Sequence, residues 1–305
     1  MSALPLQLRA NDVTRHIINI DSRFRLNPQS TPPADFQLQL LSPIRNVIRI
    51  RITSFEFPNN YYTFTYKRKN VSFRVLYIDP ATSKTLAYAI ELEDGSYNAY
   101  DMETALASAL DISGSPVRWL KVAFDPVTGH FTFSGGKNKF ALDTAYNSYD
   151  RVMDYGLGFH LGFDRGIIKS TADSAGDYSL ESSCQASFAG DTYLFMCLND
   201  YKCVRQTIGE NEFSAFGKFL LRENKNIVSF DDYAGQHIKE VVFPSPTDLS
   251  RLHVRLLDPY GNTLDLCKTN FSFSIEVLEV KNQSLRDNIR NSIGVEYAAG
   301  HVSHN

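Results

Sequence analysis

RNVIRIRITSFEFPNNYYTF, residues 45–64, decides the fold class. Ile48, Ile50 and Ile52 alternate with Arg49 and Arg51. That period of two is the pattern of a strand with one face in a core and the other toward water. It recurs outward in the chain. Leu86, Tyr88, Ile90 and Leu92 alternate with Ala87, Ala89 and Glu91; Leu120, Val122 and Phe124 form a third set, answered by Phe131 and Phe133. Leu252, Val254 and Leu256 continue the series, and Phe271, Phe273, Ile275 and Val277 close it.

Three Asp-Pro pairs punctuate these strands: Asp79-Pro80, Asp125-Pro126 and Asp258-Pro259. Asp caps the first turn position and Pro presets φ at the second. In DPVTG, Gly129 supplies the left-handed residue that lets Phe131 and Phe133 pair back on Val122 and Phe124. Helical signal is scarce. Met102, Leu106 and Leu110 recur at four-residue spacing behind Asn98, a capping residue, with Asp101 and Glu103 in the first turn. A second short helix is expected over 149–155. A third is expected over 284–293, where Leu285, Ile289 and Ile293 share a face and Ser284 with Asp287 resembles a capping box. No strand is regularly followed by a helix, which argues against an α/β fold. The expected fold is all-β: a single jelly-roll sandwich of two antiparallel sheets with a few short helices and a long loop insertion. Gly166–Gly190, rich in Ser, Ala, Asp and Gly, is the least patterned region and reads as a long loop.

Composition removes several function classes. A formal net charge of −3, from 31 basic and 34 acidic residues, gives no field of one sign to hold a nucleic-acid backbone, so no nucleic-acid partner is expected. The compact basic run Lys67, Arg68, Lys69 reads as a solvated turn. Cys184, Cys197, Cys203 and Cys267 form no CxxC pair and are too few to staple so long a chain. With no leading signal segment, they point to synthesis in a reducing compartment and to unpaired thiols. No apolar run approaches the roughly 20 residues of a bilayer span, so no membrane span is expected.

Candidate chemistry is thin. His16, His130, His160, His237, His253, His301 and His304 include no close pair on one strand, where a metal site needs ligands converging from adjacent strands. Cys197 lies in an apolar run, the setting of a buried structural thiol rather than a nucleophile. No GxSxG elbow occurs. Gly135-Gly136-Lys137 lacks the spacing of a phosphate loop and reads as a turn between Phe133 and Phe140. Paired carboxylates such as Asp231 with Asp232, or Glu91 with Glu93, read as solvent contacts. No catalytic residue, cofactor or metal site is therefore expected, and the chain is read as a non-enzyme. A carbohydrate-binding sandwich is the alternative, with Tyr61 and Tyr62 as loop-tip aromatics that stack on sugars.

The segment INIDSRFR, residues 18–25, is followed by Pro28, by Pro33 to Phe36, and then by the stretch at 45–64. This order resembles the N-terminal half of the penton and minor capsid proteins of nucleocytoplasmic large DNA viruses. The Asp94-Gly95-Ser96-Tyr97 element before the Met102–Leu110 helix and the LGF stretches at 157–159 and 161–163 are similar to the family as well. The likeness covers about the first 165 residues. It implies a single jelly roll that forms the vertex pentamer of a large icosahedral double-stranded DNA virus, or a minor capsid protein beneath the main lattice. The implied partners are further copies in a cyclic oligomer, the major capsid protein and other minor capsid proteins; the implied location is the virion, after synthesis in the host cytoplasm. Against shorter family members, 166–223 is a candidate insertion. The domain reading is then an interaction arm over 1–13, one jelly roll over 14–283, and a short helix with tail over 284–305.

The interaction residues follow. Asp21 and Arg23 are expected to pair at a turn, either as a plain surface pair or to orient the arm toward a neighbour. Leu4, Leu6 and Leu8 alternate with Pro5, Gln7 and Arg9, a strand-like period in which Pro disfavours a central position. Such a segment adds to an exposed edge or lies in a groove.

Overall fold

The computed structural model describes residues 12–79, 82–221, 228–231 (backbone only) and 239–281. The fold class is the expected one: all-β, antiparallel in every pairing, of jelly-roll type. The chain packs as two compact units, 1–61 with 191–305, and 62–190. The second unit interrupts the first. The sequence reading of one domain over 14–283 meets this division at 190/191, inside the stretch 166–223 read as an insertion.

Unit 1 holds β1 (Val13–Asp21) and β2 (Asp35–Pro58). Beyond the eight strands of unit 2 it adds β11 (Tyr193–Leu198), β12 (Val204–Ile208), β13 (Asn211–Ala215), β14 (Gly217–Leu220), β15 (Val228–Asp231), β16 (Glu240–Leu257) and β17 (Ser272–Val280). One sheet runs β1-β17-β2-β16-β11-β14, with β15 also on β2, while β12 and β13 form a separate hairpin. At 24 residues, β2 is far longer than an ordinary strand and has to bend. Pro43 offers no N–H, Asn46 sits at φ 51°, and the register against β16 shifts three times between Val242 and Arg251. The bent sheet keeps one face dry. Ile50, Ile52, Phe55 and Phe57 of β2 pack there with Leu252, Val254 and Leu256 of β16 and Phe273, Ile275 and Val277 of β17. Each such side chain contributes about 1.5–3 kcal/mol by leaving water.

Unit 2 is built from β3 (Ser72–Ile78), β4 (Thr85–Glu91), β5 (Lys121–Asp125), β6 (His130–Gly136), β7 (Phe140–Asp143), β8 (Ile167–Lys169), β9 (Thr171–Ala172) and β10 (Tyr178–Glu181). Its sheets run β4-β3-β7-β8 and β5-β6-β10-β9. Phe73 and Val75 of one sheet and Phe131 and Phe133 of the other meet in one core, to which α1 (Ala99–Leu110) adds Met102, Leu106 and Leu110. Asn98 caps α1 by accepting from the Tyr100 and Asp101 N–H groups, and Asp101 accepts in return from the Asn98 N–H. The DPVTG hairpin forms as read: Asp125 Oδ1 accepts from Val127 N–H at 2.8 Å, and Gly129 takes φ 74°. Gly135-Gly136-Lys137 is a tight turn, where a Cβ on Gly135 would meet the Asn138 carbonyl oxygen at 2.5 Å.

Two local readings differ from the structure. Residues 149–155 are not a helix: Tyr149 N–H bonds the Tyr155 carbonyl and Asp154 takes φ 46°, which closes a loop. The helical turn comes just after, as α2 (Leu157–His160). Within 166–190, short strands β8, β9 and β10 replace the expected structureless loop, too short to show any alternation. The helix read over 284–293 and nearly all of the arm over 1–13 lie outside the described residues; of the arm, Val13 is the first residue of β1.

Candidate functional site

The motif at 18–25 ends β1 and turns the chain. Asp21 accepts from Arg23 N–H at 2.9 Å and faces the Arg23 guanidinium, whose Nε donates to Oδ2 at 2.8 Å. That bond to Arg23 holds the Asp21 carboxyl below its ordinary range, against the opposing effect of burial. Arg23 itself is exposed. The residues that lock the turn are others. Ser22 is fully buried; its N–H donates to the Phe271 carbonyl at 3.0 Å and its Oγ accepts from Phe271 N–H at 3.0 Å. Arg25, 8% exposed, donates to the carbonyls of Pro28 and Thr31 at 2.9 and 2.7 Å and to Asn270 Oδ1 at 2.8 Å. The sequence reading chose Asp21 and Arg23 and passed over Arg25. A signal was present: the loop carbonyls between Pro28 and Pro33 need donors, and a guanidinium carries five.

Tyr61 and Tyr62 do not form an aromatic platform. Tyr61 is 1% exposed, packs edge-on to Phe57 at 6.0 Å and places its hydroxyl 3.3 Å from Asp191 Oδ2, whereas Tyr62 is 43% exposed. The expectation of two exposed rings is corrected at Tyr61, which fills the core beyond the end of β2. Leu4, Leu6 and Leu8 lie outside the described residues.

Among the described residues, no strand lies beyond β1 in its sheet. Lys281 N–H donates to the Asp12 carbonyl at 2.9 Å and Ser22 N–H to that of Phe271 at 3.0 Å. With Val13 opposite Val280, this parity makes the even-numbered residues of β1 bond β17. Val13, Arg15, Ile17 and Asn19 turn their N–H and C=O groups outward, and no described residue takes them. Beside this edge lies a groove of about 560 Å³ lined by Arg15–Ile18, Leu40–Ile44 and Glu279. Ile17 is 61% exposed and Leu41 fully so.

On the face of the sheet away from its core, Glu276 is 2% exposed and meets three guanidinium groups. Arg15 Nε lies 2.9 Å from one carboxylate oxygen, and Arg49 Nη2 and Arg51 Nε each lie 3.0 Å from the other. Arg51 is directly opposite Glu276, and Arg49 is its diagonal neighbour. The carboxylate thus ties β1 to β2 across β17.

Other polar groups stand singly. Among the described residues no three His, Cys, Asp or Glu side chains gather as metal ligands. His16, His130, His160 and His253 each face one carboxylate. His160, packed edge-on to Phe64, lies 3.1 Å from Asp154. Burial raises the Asp154 carboxyl, but the contact with His160 and the charges of His160, Arg151 and Arg68 outweigh it and hold the group low. All four cysteines are free, and burial pushes the Cys197 thiol up. Glu91 is exposed, Asp231 is described by its backbone alone, and Asp232 lies outside the described residues.

An all-β protein of jelly-roll type is the class these features define. No family model matches the chain, and no curated protein sequence does. Among solved structures, the crystal structure of selenomethionine-labelled mavirus penton protein is similar over 87% of this chain and 99% of that chain, with a TM-score of 0.45 and 11% identity.

Proposed function

We propose that this chain is a non-enzymatic structural virion protein, a penton subunit at the capsid vertex of a large icosahedral double-stranded DNA virus. It works as a cyclic homo-oligomer, a pentamer, joined through its sides and seated among major and minor capsid proteins. The observation that carries this reading is the placement of the motifs behind the family resemblance. INIDSRFR forms the end of β1 and the turn locked by Ser22 and Arg25, while RNVIRIRITSFEFP is the second half of β2. Both strands flank β17, so the likeness falls on one physical substructure rather than on scattered residues. β1, with no described strand beyond it, offers a side surface of the kind a heterologous, ring-closing contact uses.

Native mass spectrometry of the purified chain, together with its position in virion density, tests the reading. A pentamer located on the fivefold vertices is expected. A strict monomer at high concentration that is also single in the virion would refute it. A sub-lattice minor capsid protein would appear away from the vertices.

A further inference from the structure

Four strands of unit 1 place eight side chains in two rows on the sheet face away from the core. Opposed residues share a face, so Ile17, Glu276, Arg51 and Glu240 form one row across β1, β17, β2 and β16, and Arg15, Leu278, Arg49 and Val242 form the next. Glu276 holds three guanidinium groups, yet a carboxylate offers about four acceptor sites whereas each guanidinium carries five donors. Arg49 shows the shortfall. Its Nε is buried and among the described residues has no hydrogen-bond partner, since the Glu240 carboxylate stops 4.0 Å away. Three arginines against Glu276 and Glu240 leave one positive charge in surplus on these rows. At two opposite corners Ile17 and Val242 are 61% and 63% exposed.

We propose that this face binds a segment of a partner protein chain through one carboxylate seated on Arg15, Arg49 and Arg51, with an apolar residue to either side resting on Ile17 and Val242. Charge selects the ligand. One surplus positive charge matches a single carboxylate and is too little to hold a phosphodiester chain. All three cations are arginine, whose planar fork takes a carboxylate in two bonds, and Glu276 fixes their orientation before the partner arrives. Spacing selects the residues beside the acid. Ile17 and Val242 are separated by three inter-strand steps and one two-residue step, about 16 Å in all. The first and fifth residues of an extended segment lie about 13 Å apart, so an acidic residue with apolar residues two places before and after it reaches both corners. The inference goes beyond the vertex reading and does not need it.

The test uses the full chain, labelled with nitrogen-15 at arginine, and two end-blocked peptides, Ile-Ser-Glu-Ser-Val and Ile-Ser-Gln-Ser-Val. The glutamate peptide is expected to shift the Nε–H signals of Arg15, Arg49 and Arg51. It should leave those of Arg74 and Arg118, which pair with Asp143 and Asp111, unmoved. Its affinity should exceed that of the glutamine peptide about tenfold, the worth of one hydrogen bond between charged groups. Arg15→Gln leaves Glu276 two guanidinium groups, and Val242→Asp adds a negative charge at an exposed corner. Each is expected to weaken the glutamate peptide about tenfold with unchanged circular dichroism. If Arg15→Gln does not fold, Val242→Asp decides. Inorganic phosphate should move the same signals only at much higher concentration. Peptides that bind equally, an unmoved trio of arginines, or variants that bind as the parent does overturn the proposal. So does phosphate that binds as tightly as the glutamate peptide, which reduces the face to a site for small anions. A chain that binds the peptide but is absent from vertices would break the vertex reading and leave this one standing; a vertex pentamer blind to the peptide would do the reverse.

Discussion

In unit 1 the longest strands run 24 and 18 residues through one bent sheet, whereas in unit 2 no strand exceeds seven and two four-stranded sheets face each other. The two designs treat their margins differently. Two of the four edges in unit 2 are β8 and β9, of three and two residues, too short to template another chain. Among the described residues of unit 1, the nine-residue β1 lies at the margin. Their charges differ as well. Unit 1 gathers three arginines on one buried carboxylate, while unit 2 relies on aromatic packing and single pairs such as His160 with Asp154. Glu276 braces the β1 margin of unit 1, whereas β8 and β9 of unit 2 end their sheets in two or three residues.

The contrast can be broken by experiments that load one unit at a time. Phe133→Ala, in the core of unit 2, should cost about 4 kcal/mol. Hydrogen exchange should then speed up over 62–190 and leave β2 and β17 protected; equal loss in both would show that the units melt as one. Glu276→Gln should cost about 3 kcal/mol, since three guanidinium groups lose their shared carboxylate. Its signature is lost protection in β1 and β17 with unit 2 unchanged. Asn98→Ala removes the cap of α1 and should cost about 1 kcal/mol, seen as fraying of that helix. The smallest effect is in pH. The folded Asp154 carboxyl is held below its ordinary value, so its contribution is present above that value and fades as pH falls through the folded one. Asp154→Asn, which tolerates the left-handed φ of 46°, should flatten the acid limb of a unit 2 melting curve.

Legibility in the sequence followed the length and regularity of each element. Ile48, Ile50 and Ile52 announced β2, and Asn98 with Met102, Leu106 and Leu110 announced α1, because a single period ran for several turns or residue pairs. The strands of two to four residues between 167 and 181 carry no period to read. Residues 149–155 close a loop instead of a helix, with Asp154 left-handed just before Gly156. Of the candidate site, the Asp21–Arg23 pair was visible as neighbours in sequence. Arg25, Asn270 and Glu276 were not, because their partners lie on the order of 200 residues away along the chain or on loop carbonyls that a sequence does not show. The burial of Tyr61 was missed for the same reason, since Asp191 is 130 residues distant.

That Tyr61–Asp191 contact also bears on the route by which the protein folds. Every pairing of β1 and β2 with β16 or β17 waits for strands synthesised after the whole of unit 2. Closing so long a loop from an open chain is costly in entropy and slows folding. Unit 2 is contiguous, so it can fold first as the chain emerges, and once folded it holds residues 62 and 190 at fixed separation. The search that remains for unit 1 is then between two tails already gathered at Tyr61 and Asp191. Refolding from denaturant should show unit 2 protected before β2 and β17, and a Phe133→Ala chain should slow the appearance of unit 1 although it leaves every contact within that unit untouched.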